Sequence, residues 1–200
     1  MAKKLTDKQK SRLWQQLRSR SFHASSRLDI LEPHAQDEII AQRVDTIELG
    51  PLHRGLPWLC AIHQQLFQDV FDWAGELRDV DISKGEIQFC HFEYIENEGN
   101  DLMQEMEDEH YLVGLSRTEF VLRLSHYYCE INVLHPFFVG SGRAQRVFFE
   151  QLAIHAGYIL DWKDVSPEAW ATANQTGALG DLKMLNEIFT KVVSEARESE

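Results

Sequence analysis

Residues 135–146 read His135-Pro136-Phe137-Phe138-Val139-Gly140-Ser141-Gly142-Arg143-Ala144-Gln145-Arg146, and the organisation of the chain follows from what flanks them. Upstream, Ser116-Arg117-Thr118-Glu119 has the spacing of a capping box, and Phe120, Val121, Leu124, Tyr128 and Ile131 continue it as the apolar stripe of a helix. The residue before a proline avoids the α region, so that helix is predicted to stop before His135-Pro136. Downstream, Arg143 to Ala156 is again helical in pattern and closes at Gly157. The quoted segment is therefore a glycine-punctuated loop between two helices.

Each part of that loop has a chemical use. Gly140 and Gly142 flank Ser141 at a helix start, where free backbone N–H groups and the positive end of the dipole favour an anion such as phosphate. Arg143 and Arg146 are three residues apart, hence on one face of the first turn, and two guanidinium forks there suit a polyphosphate better than packing. His135, fixed by Pro136 at the rim of that anion pocket, is expected to titrate near neutrality and to serve as general base for a hydroxyl. Phe137 reads as the hydrophobic pin of the loop.

Working outward, residues 36–49 are helical in pattern until Gly50-Pro51, and Pro57 to Phe71 carries Leu59, Ile62, His63, Leu66, Phe67 and Val70 at helical spacing. His63 reads as a hydrogen-bonded packing residue. Val80 and Ile82, then Ile87 and Phe89, alternate with polar residues around Lys84-Gly85, which predicts a small β-hairpin. Glu93 to Leu112 reads as one helix with a solvated acidic face. Ser166-Pro167-Glu168 starts another helix, and a last one runs from about Asp181. Residues 1–31 hold a cluster of basic residues with weak periodicity and read as a peripheral arm or short helix. The fold class expected is all-α with one hairpin.

Composition excludes several function classes. The 200 residues are 44% hydrophobic and 26% charged, ordinary globular values, and 32 acidic against 20 basic residues give a net charge of -12. Such a field repels a phosphate backbone, so no nucleic-acid partner is expected. Cys60, Cys90 and Cys129 are odd in number and widely spaced, which suits reduced thiols. The basic start MAKKLTDKQK runs into polar residues and no stretch approaches 18 apolar ones, so no membrane partner is expected and a cytoplasmic location is.

The loop resembles the Fic-domain motif, HPFx[D/E]GNGRxxR, of enzymes that transfer AMP from ATP to hydroxyl side chains of target proteins. The likeness extends to Phe71-Asp72-Trp73-Ala74-Gly75-Glu76-Leu77-Arg78 and Val80-Asp81-Ile82-Ser83-Lys84-Gly85, which read like the family's approach to its hairpin "flap". It divides the chain into residues 1–47, a Fic helical bundle over 48–193, and a charged tail over 194–200. The resemblance implies that His135 takes the proton of the target's hydroxyl and that Gly140, Ser141 and Gly142 form the anion hole. Arg143 would hold the triphosphate and Arg146 its terminal part. A flap including Lys84, Gly85, Glu86 and Ile87 would clamp the nucleotide and register the target segment. Trp170 and Asn174 are the candidates for the adenine side, with ordinary packing an equal account of the Trp.

Two departures matter. The motif's acidic residue, which in the family holds magnesium, is Val139, and its Asn is Ser141. Valine cannot bind a hard cation, so Mg²⁺ would be carried by ATP. Three outcomes stay open: weak adenylylation, a different donor such as another nucleotide or phosphocholine, or a nucleotide-binding interaction module. The family also uses an inhibitory helix, [S/T]xxxE[G/N], whose Glu faces the motif's second arginine. Ser194 to Glu198 has that spacing but ends in Ser199, so it reads as a charged terminus. The resemblance then implies a toxin-like protein restrained by a small, separate helical antitoxin facing Arg146, with a topoisomerase subunit as the suggested target.

Overall fold

Thr6 opens the first helix through a capping box: its hydroxyl accepts from the Gln9 N–H at 3.2 Å, and the Gln9 side chain accepts from the Thr6 N–H at 2.8 Å. This helix, α1 (Asp7–Ser26), is twenty residues long, where the weak periodicity predicted an arm or short helix. Its buried residues Leu13, Trp14 and Phe22 face the body of the protein, and the Trp14 indole donates to the Ile47 carbonyl at 2.7 Å. The computed structural model describes residues 2, 4–29, 36–52 and 55–197.

The chain continues through α2 (Asp37–Val44) and α3 (Gly55–Phe67). The strands β1 (Ser83–Lys84) and β2 (Ile87–Gln88) pair antiparallel, with Lys84 opposite Ile87. Then come α4 (Ile95–Asp108), α5 (Arg117–Leu134), α6 (Ser141–Ala156), α7 (Pro167–Ala178) and α8 (Lys183–Val192). Ser116 caps α5 through the expected box with Glu119, and the predicted stop before His135 is observed. Among the described residues the architecture is all-α with small sheets, as the pattern predicted. α5 packs on α4, α6, α7 and α8, while α6 is also covered by α3 and α1.

Three local differences have physical causes. The helix expected over Glu93 to Leu112 ends at Asp108, because His110, Tyr111 and Leu112 turn left-handed (φ 54°, 51° and 64°) and carry buried Tyr111 and Leu112 into the core. Glu109 anchors that turn, accepting from the Arg123 Nε at 2.9 Å and the Tyr127 hydroxyl at 2.8 Å. A second small sheet, unpredicted because its strands are three residues each, pairs β3 (Tyr158–Leu160) with β4 (Val193–Glu195). Ser194 and Glu195 are therefore strand residues, and Ala196 beyond them is buried. Glu198 and Ser199 of the C-terminal pattern lie outside the described residues.

Candidate active site

Aromatic packing positions the loop between α5 and α6. The Phe137 ring is fully buried and stacks on His63 of α3 with centroids 3.9 Å apart, so the predicted pin is in place. His63 accepts from the Gly75 N–H through Nδ1 at 2.9 Å, and its Nε2 therefore carries the proton and donates to the Val139 carbonyl at 2.8 Å. Burial pushes this imidazole down to about 4. Gly140 caps α6 at φ +87°, and a Cβ there would stand 2.4 Å from Phe67 Cζ, so the turn requires glycine.

A cavity of about 240 Å³ opens beside this loop. Its wall brings together His135, Gly142 and Arg146, the flap residues Lys84, Gly85 and Ile87, and Trp170 and Asn174 from α7. Gly140, Ser141, Arg143, Glu86 and Phe137 stand outside that wall. The Ser141 hydroxyl accepts from the Phe137 N–H at 2.9 Å and is within 3.0 Å of the Phe137 carbonyl, so it ties the loop internally. Trp170 is only 5% exposed and packs edge-on against Trp162 and Tyr128, which makes it a core residue with one side on the cavity. The Asn174 amide donates to the Trp170 carbonyl at 2.9 Å.

His135 has a left-handed backbone (φ 43°), and its ring stacks on Phe89, just after the hairpin, with centroids 4.1 Å apart and 11° between planes. The expectation of titration near neutrality is corrected here. Burial, with the positive charges of Arg78 and Lys84, lowers His135 to about 3, so the imidazole is neutral at physiological pH. Bound polyphosphate would oppose that shift.

The residue that sequence reasoning missed is Asp29, three residues beyond α1. Its Oδ2 accepts from Arg143 Nε at 3.2 Å and pairs with an Arg146 Nη. Its Oδ1 lies over the α6 N-terminus, 3.5 Å from where a Gly142 Cβ would be. Arg143 is 2% exposed; its Nη2 also pairs with Asp37 of α2 at 2.8 Å, and its guanidinium lies 5.9 Å from the Phe22 ring centre. The arginine expected to hold triphosphate is thus enclosed by the N-terminal region. Burial works against the charge on Arg146, but Asp29 and its other neighbours raise its pKa above the ordinary value. Arg27 anchors the segment by donating to the Trp162 carbonyl at 2.7 Å. A signal was available: Ser25-Ser26-Arg27-Leu28-Asp29 has the [S/T]xxxE spacing with Asp in place of Glu, and Ile30 follows.

The residues present do not fit a protein-held magnesium. The position where the motif has a carboxylate is Val139, and among the described residues no group of three His, Cys, Asp or Glu side chains is arranged to hold a metal ion.

A helical bundle with a hairpin over a His-bearing anion loop defines the Fic class. The Fic/DOC family model matches residues 55–153, and the YhfG family model matches residues 3–47. The chain is 63% identical over 179 residues to "Probable protein adenylyltransferase Fic" of Salmonella typhimurium, covering 90% of this chain and 88% of that one. It is 68% identical over 163 residues to the protein of the same name in Escherichia coli, with 82% of each covered. A crystal structure of BepC from Bartonella tribocorum with bound AMPPNP shares the fold, with a TM-score of 0.73 at 24% identity over 80% of this chain and 85% of that one. At the N-terminus, 30 residues (15% of the chain) are 67% identical to 54% of the Escherichia coli protein YhfG. The chain belongs to the Fic/DOC family and is a protein adenylyltransferase by class.

Proposed function

We propose that this enzyme transfers AMP from ATP to a Tyr, Thr or Ser hydroxyl of a target protein and is restrained by its own N-terminal segment. In the reaction, the His135 imidazole accepts the hydroxyl proton as the oxygen attacks the α-phosphorus. A new P–O bond forms, the bond to the β-phosphate oxygen breaks, and pyrophosphate leaves with that electron pair. Neutral His135 and the α6 N-terminus beside Gly142 and Arg146 suit that step. A protein of the same fold binds AMPPNP, and magnesium would arrive with ATP, given Val139.

The observation that carries the restraint is the Asp29 carboxylate bridging Arg143 and Arg146 at the end of the cavity. A carboxylate on two guanidinium groups over a helix N-terminus takes the place of the terminal phosphate. The inhibitor expected as a separate helical protein is, on this reading, residues 3–47 of the same chain, the stretch matched by the YhfG family. Released, the enzyme acts as a toxin in the cytoplasm, where the free thiols of Cys60, Cys90 and Cys129 suit a reducing environment. The target suggested by the resemblance is a topoisomerase subunit.

The test is mass spectrometry of a target-containing lysate incubated with ATP, Mg²⁺ and the Asp29→Ala protein, beside Asp29→Ala/His135→Ala. AMP adducts that require His135 support the reading. Adducts absent from both samples, with ATP binding retained, would replace it with a nucleotide-binding module.

A further inference from the structure

Arg78 lies in the approach to the hairpin, 5% exposed, and its partners are backbone carbonyls from two parts of the site. Its Nε donates to the His135 carbonyl at 2.7 Å, and an Nη2 donates to the Leu134 carbonyl at 3.2 Å. Leu134 ends α5 and His135 caps it, so these carbonyls have no partner within the helix and form the negative end of its dipole. The same guanidinium donates to the Val80 carbonyl at 2.8 Å and to the Cys90 carbonyl, one on each stem of the hairpin. The Arg78 N–H donates to the Pro136 carbonyl at 2.9 Å, and the Cys90 N–H to that of Val133 at 2.9 Å.

One rigid fork therefore joins the backbone of the base to both ends of the flap. His135 has a left-handed conformation, uncommon for a non-glycine residue, at the C-cap of α5. The fork binds the carbonyl of that very residue. On the other side, Phe89 of the flap stem stacks on the His135 ring, so the Val80 and Cys90 contacts also fix the ring's neighbour.

Resting on the transfer reaction proposed above, we infer that Arg78 is a positioning residue: it sets the distance and angle between the His135 imidazole and the flap, and so between base and acceptor hydroxyl. The target segment is registered on the flap, whereas the nucleotide is held at Arg146 and the α6 N-terminus, which Arg78 does not touch. Arg78 accordingly governs the transfer step, and it acts on nucleotide affinity only through the clamping contribution of the flap. Lysine keeps the charge but has three donors at one point for four carbonyls, so Arg78→Lys is not conservative here.

The experiment uses the full chain carrying Asp29→Ala, with Arg78→Lys and Arg78→Met added separately. Melting temperature establishes folding, ATP affinity is measured by calorimetry, and kcat is measured on the modified lysate protein. Arg78→Lys is expected to lower kcat on the order of 10²-fold, the scale of an ångström-sized misplacement, with ATP affinity falling by a much smaller factor. An imidazole NMR titration provides a second readout that does not need turnover. The charges that act on His135 are Arg78 and Lys84 of β1; Arg146 of α6 and Asp29 share its cavity wall, the last removed in this background. Arg78→Met removes one positive neighbour, so His135 is expected to titrate at higher pH than in the parent, while Arg78→Lys leaves its pKa close to the parent's. A folded Arg78→Lys protein with parental kcat, or an unmoved His135 titration in Arg78→Met, would overturn the inference. An Asp29→Ala parent that transfers no AMP would overturn the functional reading instead, with the titration still reporting on Arg78.

Discussion

Asp29 Oδ2 lies 3.2 Å from Arg143 Nε although 114 residues separate them in the chain. The contact places a carboxylate from the N-terminal segment against the arginine proposed to hold triphosphate, and Arg146 closes on the same oxygen. Conversion to Asn keeps the shape and removes the charge. Asp29→Asn is expected to bind ATP at least tenfold more tightly than the parent, by calorimetry; equal affinity would show that the carboxylate does not compete with the nucleotide.

His63 places the anion loop through two hydrogen bonds that require one tautomer. His63→Leu removes the partner of the half-buried Val139 carbonyl and Gly75 N–H, at about 1 kcal/mol for each hydrogen bond lost. His63→Gln presents an amide donor near the Nε2 position and is expected to recover part of that loss in urea unfolding and part of the AMP-transfer rate.

Glycine is required at Gly140 by conformation and by space. Gly140→Ala drives a Cβ into the Phe67 ring and is expected to cost more than the 1–3 kcal/mol of a strained backbone position. Gly85, at the hairpin tip with φ +59°, has nothing within 4 Å of an added Cβ. Gly85→Ala is expected to cost only about 1–2 kcal/mol. Equal losses in denaturant unfolding would contradict the packing account.

Glu150 lies one turn beyond Arg146, where the Trp162 indole donates to it at 3.0 Å and Ser21 of α1 is a further partner. Burial raises its pKa from 4.5 to about 7, with Ser21, Trp162 and Arg146 acting against that rise. The folded state thus favours the protonated carboxyl. The stability this contributes is complete below about pH 4.5 and is lost as pH rises through about 7. Glu150→Gln keeps a neutral side chain throughout, so its melting temperature is expected to fall less than the parent's between pH 5 and pH 8, on the order of the scale set by linkage. Parallel curves would contradict this.

The two residues proposed for an adenine side should behave differently. Trp170→Ala removes a core ring and is expected to destabilise the fold by about 3–5 kcal/mol. Asn174→Ala is half-buried at the cavity wall and is expected to leave the melting temperature near the parent's while weakening ATP binding several-fold in a titration.

The helices were legible because their signals are local. The Ser116 box, the Pro136 stop, the Gly157 cap and the Ser166-Pro167 start each lie within a few residues of the boundary they mark. The loop was legible for the same reason, since His135, Gly142 and Arg146 are neighbours in sequence and in the cavity wall. What escaped depends on distant pairing. α1 has a weak apolar pattern, and its docking rests on Trp14 meeting Ile47 and Arg27 meeting Trp162. Asp29 was hidden because Asp stands where the family pattern has Glu, and its partners are 114 and 117 residues away. The sequence does not show that the Ser141 hydroxyl is tied to Phe137, which leaves its backbone N–H as the group Ser141 would offer an anion.

The most direct measurement is the initial rate of AMP incorporation into the modified lysate protein by the parent, Asp29→Glu and Asp29→Ala chains at equal concentration and saturating ATP. Self-restraint predicts a rate for Asp29→Ala at least tenfold above the parent's, abolished by His135→Ala, with Asp29→Glu remaining slow because it keeps a carboxylate for Arg143 and Arg146. Equal rates for the parent and Asp29→Ala would contradict the account.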